Sequence, residues 1–228
     1  MPDSLEESKR TAAHAAVERY VESGMTVGLG TGSTAFWVVS RIGELLSSGG
    51  LRDVRGIATS RRTAEQARQE GIPLVGLSEA RPDLTIDGAD EVSPDLNLIK
   101  GRGGALLREK IVAASGGGLV VVADGSKLVD TLGEGALPVE VEPFGWETTA
   151  EALSALGCEP ELRMDGPERF VTDGGHYTID CAFPSIPDPA ALETRIKRIP
   201  GALETGLFVG LSRAAVIARD GEVEILEG

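Results

Sequence analysis

The run Gly118-Leu-Val-Val-Val-Ala123 carries no polar side chain and leads directly into Asp124-Gly125. A strand that is apolar on both faces is buried on both faces, the condition of a parallel sheet covered by helices on either side. The segments around it fit that arrangement. Met25–Gly30, Val54–Ala58, Leu84–Ile86 and Leu96–Ile99 read as further strands. Between them, apolar residues at helical spacing predict helices over 6–23, Thr34–Ser48, Arg62–Glu70 and Ala105–Ser115, several stopped by glycine. The expectation is an α/β chain with a Rossmann-like, mostly parallel sheet and helices on both faces.

The texture changes near Gly133. Leu137–Val141, a helix from Trp146 to Leu156, and Glu161–Met164 make one β-α-β unit. Arg169–Thr172 and Tyr177–Ala182 flank Asp173-Gly174-Gly175, a hairpin signal, and a last helix runs from Leu192 to Ile199. This order predicts a smaller α+β domain of split β-α-β, ferredoxin-like type. Glu204–Leu211 and Ala214–Leu226, the latter turning at Asp220-Gly221, complete the sheets. The expected division is 1–132 with 207–228 for the Rossmann-like catalytic domain and 133–206 for the small one.

A formal charge of −14 and a pI near 4.6 argue against a nucleic-acid partner, since such a surface repels a phosphate backbone. The longest apolar run, Gly116–Ala123, is too short to span a bilayer, so no membrane partner is expected. The polar, acidic opening MPDSLEESKR lacks the apolar core of a secretory signal, and a cytoplasmic protein is the expectation. Cys158 and Cys181 have no metal-type spacing. They allow one disulfide, but two quiet thiols suit a reducing cytoplasm better. Seventeen of the 22 basic residues are Arg, so the lysines at 100, 110 and 127 stand out as places where a compact ammonium is wanted.

Four polar or glycine-rich segments each start where a strand ends, and in an open α/β sheet ligands bind at the carboxyl ends of strands. Gly28-Leu-Gly-Thr-Gly-Ser-Thr34 precedes a helix, where backbone N–H groups and the helix N-terminus favour an anion. Its glycine spacing misses the dinucleotide fingerprint, and no Lys follows Gly32 as a P-loop requires, so a single phosphate fits better than a nucleotide. A capped tight turn is the plainer alternative. In Asp87-Gly88-Ala89-Asp90-Glu91, two carboxylates three apart suit acid–base work or a cation, without calcium-loop spacing, or they simply cap a turn. Lys100-Gly101-Arg102-Gly103-Gly104 leads into a helix on which Glu109 is tilted back toward the loop. By itself Glu109 reads as a solvated carboxylate beside Arg108 and Lys110. Asp124-Gly125-Ser126-Lys127 brings another strand-end lysine, ordinarily just a surface charge. His14 and His176 have no second ligand at i+3 or i+4, so no metal site is expected, and no Gly-x-Ser-x-Gly elbow suggests a serine hydrolase.

Taken together, GLGTGSTA from Gly28, IDGADE from Ile86, IKGRGGALLREK from Ile99 and ADGSK from Ala123 resemble the A-type ribose-5-phosphate isomerases. The likeness extends to LPVEVEPFGW and IPGALETGLFVGL and covers nearly the whole chain. It implies an aldose–ketose isomerase of the non-oxidative pentose phosphate pathway that acts on a sugar phosphate without a cofactor or metal, as a homodimer or homotetramer.

Carried over to this sequence, the resemblance makes Glu109 the base that moves the proton. Asp87 assists opening of the furanose, Asp90 holds sugar hydroxyls, and Lys100 stabilises charge on the substrate oxygens. Thr31, Gly32, Ser33 and Thr34 bind substrate with Lys127, and Lys9 matches a further family lysine. Gly88, Ala89, Gly101, Arg102 and Gly103 complete the substrate-binding set. Arg102 departs from the pattern, since a glycine is common there. A donor aimed at a developing oxyanion is worth about 3–4 kcal/mol, which is the help a weak carboxylate base needs. Two other functions would suit the same fold. A sugar-phosphate sensor needs the phosphate loop but not Glu109, and a related deaminase or CoA transferase would use a different constellation.

Overall fold

Ala12, Ala13, Ala16 and Val17 are each fully buried, so the three- and four-residue spacing seen in the sequence is the inner stripe of a helix. The computed structural model describes residues 2–228, with side chains from Leu5 onward. That first helix, α1 (Pro2–Tyr20), packs on α2 (Ser33–Ser48) and on a six-stranded sheet. The sheet contains β1 (Thr26–Leu29), β2 (Arg55–Ala58), β3 (Leu84–Gly88), β6 (Leu119–Asp124), β14 (Ser212–Arg219) and β15 (Glu222–Glu227). Its order is β15-β14-β6-β3-β1-β2, and every pairing is parallel except β14 with β15. Val120, Val121 and Val122 are fully buried, as the apolar run predicted. Each such side chain contributes roughly 1.5–3 kcal/mol.

Side chains alternate across this sheet. Val27, Leu29, Leu84, Ile86, Val120 and Val122 join the core made with α1, α2 and α3 (Arg61–Gln69). Gly28 and Thr85 face the other way, where Val112 of α4 (Leu106–Ala114) sits over Gly28. Helices therefore cover both faces. The strand order reverses at β1, with β2 on one side and β3 on the other. The carboxyl ends of β1 and β3, at Leu29 and Gly88, are where such a sheet opens a crevice.

A second unit is built on β7 (Leu137–Val141), α5 (Trp146–Ser154), β8 (Glu159–Leu162), β11 (Tyr177–Ala182), α6 (Pro189–Ile196) and β12 (Ala202–Thr205). The strands pair antiparallel in the order β12-β7-β11-β8, which is the ferredoxin-like arrangement. Its core includes Val139, Val141, Leu153, Ile179 and Ile196. Short strands β4 (Glu91–Val92), β5 (Leu98–Ile99) and β13 (Leu207–Phe208) form a separate antiparallel sheet. Two further short strands, β9 (Met164–Asp165) and β10 (Glu168–Arg169), pair with each other.

One unit comprises residues up to Ala89, Arg108–Lys127 and Gly210–Gly228, and the other Asp90–Leu107 with Leu128–Val209. The sequence places 90–107 in the Rossmann-like domain. In the structure this stretch groups with the second unit together with 128–132 and 207–209, and β4 and β5 pair there with β13. The hairpin expected from Arg169–Thr172 and Tyr177–Ala182 does not extend as a ladder. Its turn forms, with Thr172 N donating to His176 O at 2.9 Å, but both edges of β11 are taken by β7 and β8. Arg169 pairs with Met164 instead. The last helix starts earlier than its apolar stripe suggests, because Asp188 caps it by accepting from Ala191 N at 3.0 Å and Pro189 occupies its first turn. No described helix is long and apolar enough to cross a membrane.

Candidate active site

Strand β1 ends at Leu29, Gly30 follows it, and α2 begins at Ser33 with Gly32 as its N-cap. Gly32 has φ 135° and offers no side-chain cap, so the first N–H groups of α2 remain disposed for an anion. Thr34 is buried and Ser33 exposed. The Thr31 hydroxyl points inward, 2.8 Å from Thr59 Oγ1, 2.8 Å from Ser60 Oγ and 2.9 Å from Thr63 Oγ1. Thr63 Oγ1 donates in turn to Gly30 O at 2.9 Å. This hydroxyl cluster braces the loop from behind. Its sequence signal is the Thr59-Ser60 pair that follows β2, where a dinucleotide site would carry an acid.

Asp87 lies near the end of β3 and is 1% exposed. Its Oδ1 accepts from Thr31 N at 3.0 Å and from Gly88 N at 2.8 Å, so the carboxylate is held in one orientation by two backbone donors. The two motifs approach so closely that a β-carbon at position 30 would stand 2.1 Å from Asp87 Oδ1. Gly88 and Ala89 follow, half-buried.

Glu109 lies in the first turn of α4 and is 2% exposed, which disposes of a solvated surface carboxylate. It precedes Val112 by three residues on the same stripe, and Val112 packs over Gly28 on the sheet face that also bears Asp87. Beyond the C-terminal end of α4, Gly117 N donates to Pro82 O at 3.0 Å, just before β3 begins. The helix therefore runs against the strands, and Glu109 lies on the side of Val112 nearer their carboxyl ends. Lys110 is also buried.

Lys127 closes a single 3-10 turn, Gly125–Lys127, after β6 and is half-buried. Asp124, 2% exposed, shapes that turn by accepting from Ser126 N at 3.0 Å and from the Ser126 hydroxyl. Lys9 forms an ion pair with Glu6 at 2.6 Å, which holds the Glu6 carboxyl below its ordinary value. A cavity of about 700 Å³ opens on the α2–α3 side of the glycine loop, lined by Ser33, Trp37, Arg62 and Gln66 among others. Neither Asp87 nor Glu109 lines it.

In the second unit, Asp90 Oδ2 accepts from Arg102 N at 3.0 Å, and Asp90 N donates to Ile99 O at 2.8 Å. Lys100 is 3% exposed, its Nζ 5.3 Å from the Phe208 ring centroid and its N–H donating to Gly206 O at 2.9 Å. Gly101 is buried, whereas Arg102 and Gly103 are exposed. The Arg102 guanidinium approaches Glu91 at 3.8 Å. Glu91 accepts from Gly133 N at 2.7 Å and Gly135 N at 2.6 Å, so the last acid of the IDGADE stretch is a backbone clamp. Thus Thr31–Thr34, Asp87, Gly88, Ala89, Glu109 and Lys127 belong to the first unit, and Asp90, Lys100, Gly101, Arg102 and Gly103 to the second. Among the described residues no group of three or more His, Cys, Asp or Glu could hold a metal ion. Both cysteines are free and buried.

Residues 55–222 match the family of ribose 5-phosphate isomerase A (phosphoriboisomerase A). Ribose-5-phosphate isomerase A of Gloeobacter violaceus is 58% identical over 221 residues, 96% of this chain and 95% of that one. Among solved structures, ribose 5-phosphate isomerase from Plasmodium falciparum superposes with a TM-score of 0.95 at 45% identity, covering 98% of this chain and 99% of the other. A D-ribose-5-phosphate isomerase in complex with phospho-erythronic acid gives the same TM-score, 0.95, at 38% identity and the same coverage.

Proposed function

Because the chain belongs to the ribose 5-phosphate isomerase A family, we propose that it interconverts D-ribose 5-phosphate and D-ribulose 5-phosphate through an enediolate. The observation that carries the mechanism is the burial of Glu109 over the sheet face that also bears Asp87. A carboxylate withdrawn from water there, and held on a helix rather than a loop, suits proton transfer at carbon.

In this reading the α2 N-terminus and Lys127 hold the phosphate, and Asp87 assists opening of the furanose. Glu109 takes the proton from carbon 2 of the open aldose. The freed electron pair makes the carbon 1–carbon 2 double bond, and the aldehyde oxygen gains the charge. Lys100 stabilises that oxygen, Asp90 holds hydroxyls, the carbon 2 hydroxyl proton passes to the carbon 1 oxygen, and Glu109 returns its proton to carbon 1 while the carbon 2 oxygen becomes the ketone. Proton and charge stay on protein and sugar throughout. The ligand of the relative solved with phospho-erythronic acid is itself a phosphorylated sugar acid, which supports the substrate class. The proposal includes a homo-oligomer working in the cytoplasm, as the family likeness implies.

The test is direct. Purified protein is mixed with ribose 5-phosphate, without added metal or cofactor, and ketose formation is followed. Steady turnover is expected. Its absence from well-folded protein defeats the proposal.

A further inference from the structure

We propose that Arg163 is a positioning residue that fixes the Lys100–Gly104 loop by way of the Gly101 and Arg102 carbonyls. Arg163 lies between β8 and β9, 62 and 61 residues from Gly101 and Arg102 in sequence. Its Nη1 donates to Gly101 O at 2.9 Å and to Arg102 O at 3.3 Å. The rest of the guanidinium is held from behind. Nε donates to Asp180 Oδ2 at 2.8 Å, Nη2 donates to Asp180 Oδ1, and the group lies 5.7 Å from the Phe170 ring centroid. The side chain is only 14% exposed, so the charge is removed from water and its donors are committed to these partners. The backbone is equally fixed, with Arg163 N donating to Thr178 O at 2.9 Å and Phe170 N donating to Arg163 O at 3.0 Å.

The consequence follows from peptide geometry. In a trans peptide the C=O of one residue and the N–H of the next point in opposite directions. Holding Gly101 C=O therefore directs Arg102 N–H, which reaches Asp90 Oδ2 at 3.0 Å. Holding Arg102 C=O likewise directs the Gly103 N–H away from Arg163. Asp180, Arg163, the loop peptides and Asp90 form one continuous line of hydrogen bonds, with Lys100 at the start of the loop. Gly104 closes the arrangement by packing on Phe170, where a β-carbon would stand 2.2 Å from Cζ.

The role rests on the assignment of Lys100 and Asp90 to the substrate site, and the experiment separates the two. Arg163→Met, Asp180→Asn and Lys100→Ala are compared by kcat and KM for ribose 5-phosphate, and by amide hydrogen exchange of residues 100–104. Arg163→Met is expected to lower kcat by about 10²-fold, the cost of a small misplacement of reacting groups, with KM changed far less. Exchange at Arg102 and Gly103 should quicken while that of β7 and β11 holds. Arg163→Lys should not rescue, since an ammonium cannot serve a carboxylate fork and two carbonyls together. In the Lys100→Ala background, Arg163→Met should cost much less than in the parent. If Arg163→Met does not fold, Asp180→Asn is the variant to read, with a smaller kcat loss expected. Loss of turnover in Lys100→Ala but not in Arg163→Met or Asp180→Asn overturns the positioning role alone. Full turnover in Lys100→Ala removes the loop from the site, and this role with it.

Discussion

The Thr31 N–H donates to Asp87 Oδ1 at 3.0 Å, tying the glycine loop after β1 to the end of β3 across 56 positions of sequence. The contact leaves no room for a side chain at Gly30, whose missing β-carbon is the space Asp87 occupies. Gly30→Ala should therefore lower stability by roughly 1–3 kcal/mol, the usual cost of overpacking. It should also depress turnover by displacing Asp87. A urea midpoint and a steady-state assay on the same preparation check both, and an unshifted midpoint would show that the close approach is absent.

Glu109→Gln should fold normally and still bind phosphate, while kcat falls about 10²–10⁴-fold, the contribution of a positioned base. Exchange of the carbon 2 proton with solvent deuterium should vanish in parallel. Near-normal turnover would mean that the base has been assigned to the wrong residue.

Lys127→Ala should act chiefly on KM, because an anchor on the phosphate binds ground and transition states alike. Competition by inorganic phosphate should weaken by a similar factor. A loss confined to kcat contradicts the anchor.

The two thiols should be chemically quiet. Cys181 is fully buried, and its hydrogen bond with Cys158, together with burial, pushes its ionisation far up; the same contact lowers that of Cys158, which burial keeps from reagents. A small disulfide reagent should label neither cysteine until the protein unfolds, and Cys158→Ala and Cys181→Ala should retain kcat. Rapid labelling of native protein, or a kcat loss at normal stability, would refute this.

His14 should make stability depend on pH. Burial lowers its pKa below the ordinary 6.5, with Arg41 and Arg10 acting in the same direction and Glu44 and Glu18 against. The unfolded chain then binds the proton more tightly than the folded one. This contribution is fully present above pH 6.5 and is lost as pH falls through the lowered folded-state value. His14→Gln should flatten that part of the stability profile. An unchanged slope would trace the dependence to other groups.

The parallel sheet was legible because its evidence is local. A strand such as Val120–Val122 announces burial on both faces through its own composition, and the glycine and Asp motifs sit where strands stop. What failed was pairing between distant segments. Asp173-Gly174-Gly175 does turn the chain, yet Tyr177–Ala182 pairs with strands that the turn cannot reveal. Glu109 was legible in position but not in burial, because its exposure depends on where α4 lies against Gly28. Arg163 was not legible at all. Nothing in the spacing of an arginine to carbonyls 61 and 62 residues earlier marks it, since main-chain acceptors leave no trace in sequence.

Strand β14 lies between β6 and β15 in the six-stranded sheet, although it is drawn from the last stretch of the chain. During synthesis, β6 must wait with one edge open until residues 212–219 leave the ribosome, while both segments of the ferredoxin-like unit are already out. Until then the nascent protein carries an unfinished edge, a row of unpaired backbone N–H and C=O groups flanked by apolar side chains, the kind of surface that chaperones shield and that pairs wrongly when crowded.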